Sequence, residues 1–367
     1  MSWNPHNYIH NTAAQNKSLR IRRQRINRSP DREILTSLPA LHSDMWPDNP
    51  REVIKYEKLD LNPHMRQWAF NVHRGHSPLR RRYNLLHWDE VAVTGQGPML
   101  KWGSREYNVE NRLITRCDYT DIAQEHGAYI SNSGSTRVEQ STFLRCGSQG
   151  LQFSHRPNPY QQYSADTMPY ERPPRHSIVA CDFIDCGTGG TRPSYTLTYF
   201  DPGSTEWPGV VRVENCTFVA DWAEPDDSFY QNTSTGAFVL TRGQGGPAVN
   251  AEQGDMLSYA EFRKCLFDYT RGDRPLGKIN GSTNVAFIDS AFITRDHPQP
   301  WIDIDSDTHR LEGMKTKRIL IRNCRARNCR LRVHGSNGQV LVEVNMDTPD
   351  QEVWINGITG AVVRFSI

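Results

Sequence analysis

A six-residue pattern recurs seven times between residues 114 and 326. Each copy has an apolar residue, two variable residues, a small residue, another variable residue and an aromatic ring, with alanine replacing the ring in the last copy. The small residues are Cys117, Ser141, Cys181, Cys216, Cys265, Ser290 and Cys324. The rings are Tyr119, Phe143, Phe183, Phe218, Phe267 and Phe292. Such a repeat constrains the fold strongly, because equivalent residues must occupy equivalent places.

The spacing of the copies predicts a solenoid built from β-strands. The shortest steps between small residues are 24 and 25 positions, and longer steps carry insertions. A repeat of this length with variable insertions is typical of solenoids, in which each copy forms one coil. β-Branched and aromatic residues at short spacing favour strands over helices. We therefore expect columns of thiols and rings, with successive members roughly 4.8 Å apart.

The repeat resembles the right-handed parallel β-helix proteins of the pectin-lyase-like superfamily, over about residues 109–335. The segment from His126 to Ile130, His-Gly-Ala-Tyr-Ile, is similar to a turn-and-strand common in their coils. The resemblance implies an all-β fold, a right-handed single-stranded parallel β-helix. A β-sandwich with accidental repeats is the alternative.

We expect three parts along the chain. Residues 1–80 are interpreted as an extended, mostly irregular attachment arm, which is basic and punctuated by proline. Residues 81–335 are expected to form the β-helix, with 81–105 as a candidate cap, and residues 336–367 a short-strand cap or oligomerisation segment. Insertions are expected at 155–175, 193–208 and 223–236.

The cysteines follow the repeat. Cys146, Cys186 and Cys329 each lie five residues after one of the small positions, so they predict a second row. Buried reduced thiols behave as small apolar groups, and this explanation is preferred to disulfides or a zinc site. The chain has no apolar run of about 20 residues that would span a membrane, and its N-terminus has no signal-peptide pattern. We expect folding in a reducing cytosol and no cofactor.

Charge is distributed unevenly. Residues 1–88 contain 15 Lys and Arg against 7 Asp and Glu, a net +8, although the whole chain carries +2. A basic segment that cannot build its own core is typical of an arm. A solvated tail is the alternative, and nucleic acid is an unlikely partner because no recognition motif is present. The expected docking residues are Arg20, Arg22, Arg23, Arg25, Arg28, Arg80, Arg81 and Arg82.

Catalytic candidates are few. The Gly-His-Gly and Arg-Ile-Lys signatures of polygalacturonase-like members are absent. Asp303 and Asp305 are candidate catalytic residues, and with Asp307 they could hold a cation, because alternate strand residues share a face. The competing interpretation is a solvent-facing strand that buries Ile302 and Ile304.

Glu125 and His126 are a second candidate, as an acid/base pair. The competing interpretation is a turn before residues 128–130. Carbohydrate binding without cleavage requires only accessible rings. The candidate rings are Tyr160, Tyr163, Tyr170, Tyr195, Tyr199 and Trp207.

A β-helix with a basic N-terminal arm and no export signal resembles the virion proteins of tailed bacteriophages, namely tailspikes and decorating spikes. The resemblance implies a non-enzymatic virion structural protein, made in the host cytoplasm and commonly trimeric. Its arm would dock on a capsid or tail protein, and its coils would face surface polysaccharide. The alternative is a polysaccharide lyase, hydrolase or epimerase on the same fold, and a third reading is a nucleic-acid-binding protein using residues 17–32.

Overall fold

The structure, a computed structural model, describes a large part of the chain. The described residues are 33–35, 53–61, 68–71, 83–95, 102–107, 109–122, 124–131, 134–154, 175–187, 195–200, 209–220, 236–240, 257–269, 275–280, 284–293, 301–304, 316, 318–327, 330–335, 340–345, 352–356 and 364–366. Every regular element among them is a β-strand. Over these residues, no helix exists with the length and apolar character needed to cross a membrane.

The strands are short and follow one another closely. In the first half of the chain they are β1 (Glu33–Leu35), β2 (Val53–Glu57), β3 (Leu59–Leu61), β4 (Trp68–Asn71), β5 (Tyr83–Asp89), β6 (Ala92–Thr94), β7 (Trp102–Tyr107), β8 (Val109–Thr115), β9 (Asp118–Thr120), β10 (His126–Ser131), β11 (Ser135–Glu139), β12 (Thr142–Leu144), β13 (Leu151–Ser154), β14 (Arg175–Val179), β15 (Asp182–Ile184) and β16 (Tyr195–Phe200). In the second half they are β17 (Gly209–Glu214), β18 (Thr217–Ala220), β19 (Gly236–Leu240), β20 (Leu257–Arg263), β21 (Leu266–Tyr269), β22 (Gly277–Ile279), β23 (Asn284–Ile288), β24 (Ala291–Ile293), β25 (Trp301–Ile304), β26 (Arg318–Arg322), β27 (Arg325–Arg327), β28 (Arg330–His334), β29 (Val340–Asn345), β30 (Glu352–Asn356) and β31 (Arg364–Ser366).

Successive strands belong to three different sheets in rotation. Sheet 1 has the order β2-β5-β8-β11-β14-β17-β20-β23-β26-β30-β31, sheet 2 the order β1-β3-β6-β9-β12-β15-β18-β21-β24-β27, and sheet 3 the order β4-β7-β10-β13-β16-β19-β22-β25-β28-β29. Each group of three strands from β2–β4 to β26–β28 is one coil, and neighbouring coils pair in parallel. We number these coils 1 to 9. The fold is therefore an all-β parallel β-helix, as the repeat predicts.

The solenoid begins earlier than the sequence suggests. The seven sequence copies correspond to coils 3–9, whereas β2–β4 and β5–β7 form two further coils in regions assigned to the arm and the cap. Their interior positions hold residues such as Leu61, Trp88 and Val93, which are buried but lack the thiol-and-ring pattern. The first complete coil thus begins at residue 53 and not at residue 81, and β1 pairs with β3 as one earlier strand of sheet 2. Residues 1–32 and 36–52 lie outside the described part.

The expected columns of rings and small residues are confirmed. Neighbouring rings along sheet 2 stack with centroids 4.9–5.2 Å apart and planes within 14° of parallel. The small residues lie in register beside them: Cys117 N donates to Ser141 Oγ at 3.0 Å, and Cys265 N donates to Ser290 Oγ at 3.1 Å. The interior of the solenoid is thus a packed apolar core.

Gly127 explains the His-Gly-Ala-Tyr-Ile motif. A Cβ atom at this position would lie 2.6 Å from the Gly150 carbonyl oxygen and 2.9 Å from a ring carbon of Phe143. Gly103 and Gly150 hold the equivalent positions of the neighbouring coils. The glycine therefore makes room for the ring column, and the motif reports on packing.

A left-handed residue occupies the same turn of every coil, just before the small residue in coils 3–9 and before Leu59 and Val91 in coils 1 and 2. Its φ angle lies between 49° and 54°, a region that non-glycine residues adopt at a cost of roughly 1–2 kcal/mol. The nine residues are Lys58, Glu90, Arg116, Gln140, Ala180, Asn215, Lys264, Asp289 and Asn323. The N–H of the left-handed residue donates to a carbonyl of the next coil, as from Ala180 to Glu214 at 2.9 Å. Stacking therefore holds this turn in place.

Replacing Ala180 with Gly is expected to raise the free energy of unfolding by about 0.5–1 kcal/mol, because glycine adopts φ 54° without steric cost. Chemical denaturation of the variant and the parent protein measures the difference. Ala260, in β20, is the matched control, and Ala260→Gly should lower stability. A less stable Ala180→Gly protein would contradict this explanation of the turn.

Antiparallel strands end two of the three sheets. β29 pairs with β28 in sheet 3, and β30 pairs with β26 in sheet 1, followed by β31. In sheet 2, β27 is the last strand of the described part. Short strands are thus present within residues 336–367, where β29 and β30 cover the edges of β28 and β26 that would otherwise be open to pairing.

Candidate functional site

The Glu125–His126 pair lies at the start of β10. His126 is buried and stacks on Tyr129 at 5.3 Å, whereas Glu125 is half-buried. The distance from His126 Nε2 to Glu125 Oε2 is 3.7 Å, longer than a hydrogen bond. His126 is a strand residue, so the expected turn lies before it. The pair remains an untested acid/base candidate.

Asp303 lies on the outer face of sheet 3. Ile302 and Ile304 are buried, and Trp301 and Asp303 are half-buried on the other side of β25. This alternation agrees with the solvent-facing strand. Asp305 and Asp307 lie outside the described residues, and within the described part no group of three His, Cys, Asp or Glu is arranged to hold a metal ion.

Several other residues that the sequence analysis proposes for docking, sugar binding or the cysteine rows lie outside the described part of the chain. They are Arg20, Arg22, Arg23, Arg25, Arg28, Arg80, Arg81, Arg82, Tyr160, Tyr163, Tyr170, Trp207 and Cys329. Tyr195 and Tyr199 belong to strand β16 of sheet 3, so the insertion expected at 193–208 is interrupted by a strand. Tyr195 is 5% exposed and packs where Gly236 leaves space. It is therefore a core residue and cannot stack on a sugar.

The described cysteines are buried and unbridged. Burial raises the pKa of Cys117 and of Cys324 to about 12. Burial also raises the pKa of Cys181 and Cys216. Because a thiolate is needed for nucleophilic attack or metal binding, these thiols act as packing groups. This agrees with the expected rows of reduced cysteine.

The thiols predict a loss of stability at alkaline pH. The ordinary thiol pKa is 9.0 and that of folded Cys117 is about 12, so the unfolded chain releases the proton first. Stability present below pH 9 should therefore fall as the pH rises towards 12.

At pH 8, the described thiols should react with Ellman's reagent only after unfolding. Rapid reaction of several thiols in the folded protein would contradict their burial.

A buried ion pair lies inside coils 2 and 3. Arg112 Nη2 donates to Glu106 Oε1, and both side chains are at most 1% exposed. Burial lowers the pKa of Arg112 to about 10, so the guanidinium stays charged at neutral pH. Both residues occupy inward positions of their strands, but the sequence gives no sign that they meet. Enclosed by the core, the pair has a structural role.

Half-buried rings lie on the outer faces of the sheets. Arg105 lies 4.6 Å from the Trp102 ring centre, and Trp68 is 6.5 Å from Trp102, at the N-terminal end of sheet 3. Trp301 and His334 stack at 6.1 Å near its C-terminal end. Rings with one accessible face can pack on apolar faces of ligands. Within the described part of the chain, the outer face of sheet 3 therefore carries rings placed for outside contacts, which were not predicted from the sequence.

A hydrogen-bonded cluster lies on the outer face of sheet 1. Arg263 Nε donates to Glu261 Oε1 at 2.8 Å, and Arg212 lies 5.9 Å from the Tyr259 ring centre. Burial raises the pKa of Tyr259 to about 12. Burial also acts to raise the pKa of Glu261, but hydrogen bonds from Arg263 and Tyr259 bring it below its ordinary value. The charges satisfy one another, so the cluster resembles a surface network more than a reactive site.

Comparison with known proteins adds no assignment, because no family model, curated protein or solved structure matches the chain.

Proposed function

We propose that this chain is a non-enzymatic structural spike of a virion, attached to a capsid or tail protein by its N-terminal segment. The observation that supports this best is the continuous interior of nine stacked coils. Because each coil is stabilised by its neighbours, the stack is a stiff rod suited to projecting from a surface. The resemblance to tailspikes and decorating spikes points in the same direction.

The basic N-terminal segment is the proposed point of attachment. Residues 1–30, which precede every described strand, contain six Lys and Arg and no Asp or Glu, which complements an acidic surface. A trimer would present three such segments, and multivalent docking gives strong attachment from weak individual contacts. The rings on the outer face of sheet 3 are the proposed contacts for surface polysaccharide.

The attachment can be tested on particles from the organism that encodes the chain. The protein is expected to sediment with tailed particles and to appear on them by immunogold microscopy. Changing Arg20, Arg22, Arg23, Arg25 and Arg28 to Ser should reduce occupancy at least about 10-fold, because several charge contacts are lost together. A matched control replaces five exposed basic residues of the body outside coil 9: Arg116, Arg137, Arg175, Arg212 and Lys264. Absence of the chain from particles would contradict the proposal.

A second experiment tests the non-enzymatic assignment. The pure protein is incubated with acidic and neutral polysaccharides, and new reducing or unsaturated ends are measured. No products are expected. Turnover that is lost on changing Asp303 to Asn, with an unchanged melting temperature, would support a depolymerase instead.

A further inference from the structure

Positive charge is concentrated at the C-terminal end of the solenoid. Residues 313–342 contain eight Lys and Arg and no Asp or Glu. Residues 89–312, which supply most of the body, contain 19 Lys and Arg against 30 Asp and Glu, a net −11. The basic stretch includes all three strands of coil 9, β26 to β28.

Exposed arginines of coil 9 lie on all three sheets. Arg318 and Arg322 are exposed on sheet 1, Arg325 on sheet 2 and Arg330 on sheet 3. Their alternation with buried Ile319, Ile321, Ala326, Leu331 and Val333 fixes this orientation. Charge therefore surrounds the rod at this level.

The charge does not continue along the rod. In coil 8, the register partners of Arg318, Arg322 and Arg325 are Asn284, Ile288 and Ala291. On sheet 3, the partner of Arg332 is Trp301. The basic residues thus form a ring around one coil, and these described register positions are not continued by basic residues in coil 8.

In sheets 1 and 3, the antiparallel strands place a Glu residue in register with an arginine of coil 9. The register places Glu352 opposite Arg322 and Glu343 opposite Arg332. Arg325 lies on β27, beyond which no strand follows in the described part of sheet 2. On sheet 2, therefore, no described strand places a Glu residue opposite the arginine of coil 9.

From this arrangement we infer that the basic ring of coil 9 binds in an acidic protein socket that surrounds the rod just before its terminal antiparallel strands. A linear polymer lying along the solenoid would contact one face, whereas a socket contacts all three. The basic residues on the three strands are all arginine. Arginine binds carboxylates in bidentate fashion with defined geometry, which suits Asp and Glu of a protein surface. This second contact goes beyond the proposed attachment by the N-terminal segment.

The test uses poly-L-glutamate as a carboxylate-bearing polypeptide and single-stranded DNA of similar length as the competing polyanion. Binding of the full chain to each labelled polymer is measured by fluorescence anisotropy at several salt concentrations. The tip variant carries Arg318→Gln, Arg322→Gln, Arg325→Gln and Arg330→Gln. The control carries Arg116→Gln, Arg137→Gln, Arg175→Gln and Arg212→Gln, which removes the same number of exposed charges from the body. Melting temperatures establish that both variants are folded.

The inference predicts salt-sensitive binding of poly-L-glutamate that weakens at least about 10-fold in the tip variant and less than about 2-fold in the control. Replacing the arginines of one sheet at a time should also weaken binding in each case. The three variants change Arg318 and Arg322 on sheet 1, Arg325 on sheet 2, or Arg330 on sheet 3. No binding to poly-L-glutamate, equal losses in tip and control, or dependence on one face alone would overturn it. Tighter binding of DNA through the same arginines would identify a nucleic-acid surface and also overturn it. Particle association is measured separately, so this inference and the proposed function can fail independently.

Discussion

Replacing Phe218 with Ala is expected to lower the free energy of unfolding by about 3–5 kcal/mol. The ring is fully buried and stacks between Phe183 at 4.9 Å and Phe267 at 5.2 Å. The register of sheet 2 fixes both neighbours, so they cannot collapse into the space that the ring leaves. The cavity therefore persists, and its cost adds to the lost burial of the side chain.

Urea denaturation followed by circular dichroism measures this loss. Phe218→Leu retains much of the volume and should cost less than about 1.5 kcal/mol. Arg212→Ala, an exposed change in the same coil, should stay within about 0.5 kcal/mol of the parent. A loss of less than about 1 kcal/mol for Phe218→Ala would mean that the ring is not part of a packed column.

Changing Arg112 to Met is expected to lower stability by a similar amount, about 3–5 kcal/mol. The change leaves the Glu106 carboxylate buried without its cation. An isolated charge in an apolar interior is strongly unfavourable, so the folded protein must protonate Glu106 or open locally. Either response costs stability at neutral pH.

The double variant Glu106→Leu, Arg112→Met separates loss of the charge pair from loss of packing. It removes both charges, so most of the lost stability should return, because apolar residues often replace a buried ion pair with little cost. Denaturation of the parent, both single variants and the double variant gives the coupling energy. A double variant as unstable as Arg112→Met would show that the pair is not the reason for the loss.

The sequence predicts the middle of this molecule well. Stacked coils place equivalent side chains about 4.8 Å apart, so a column of one residue type leaves a repeat such as that from Cys117 to Cys324. Coils 1 and 2 could not be predicted, because residues such as Leu61 and Val93 occupy the column of rings without forming a distinctive sequence pattern. The N-terminal end of the solenoid is therefore known only from the structure.

Local features of the turns could not be predicted for a different reason. Arg116 and Lys264 adopt left-handed φ although their side chains have no preference for it. Hydrogen bonds to the next coil impose the conformation, and these exist only once the coils stack. Glu106 and Arg112 likewise meet only because the chain turns between two sheets.

The basic stretch at 313–342 can be read from the sequence, but its meaning depends on the fold. Only the division of coil 9 among three sheets shows that Arg322, Arg325 and Arg330 face different directions. For the catalytic candidates, the structure adds less to the sequence. Asp303 can be placed on an outer face, whereas Asp305 and Asp307 lie outside the described residues.

The stacking of the small-residue column can be tested by locating the sulfur atoms from anomalous diffraction of crystals. Cys181, Cys216 and Cys265 lie in consecutive coils, with Ser141 before them and Ser290 after them. The structure predicts three sulfur peaks in a row, roughly 4.8 Å apart, with the peaks of Cys117 and Cys324 about twice that distance beyond each end. Scattered sulfur peaks, or pairs about 2 Å apart as in disulfides, would contradict the stacked solenoid.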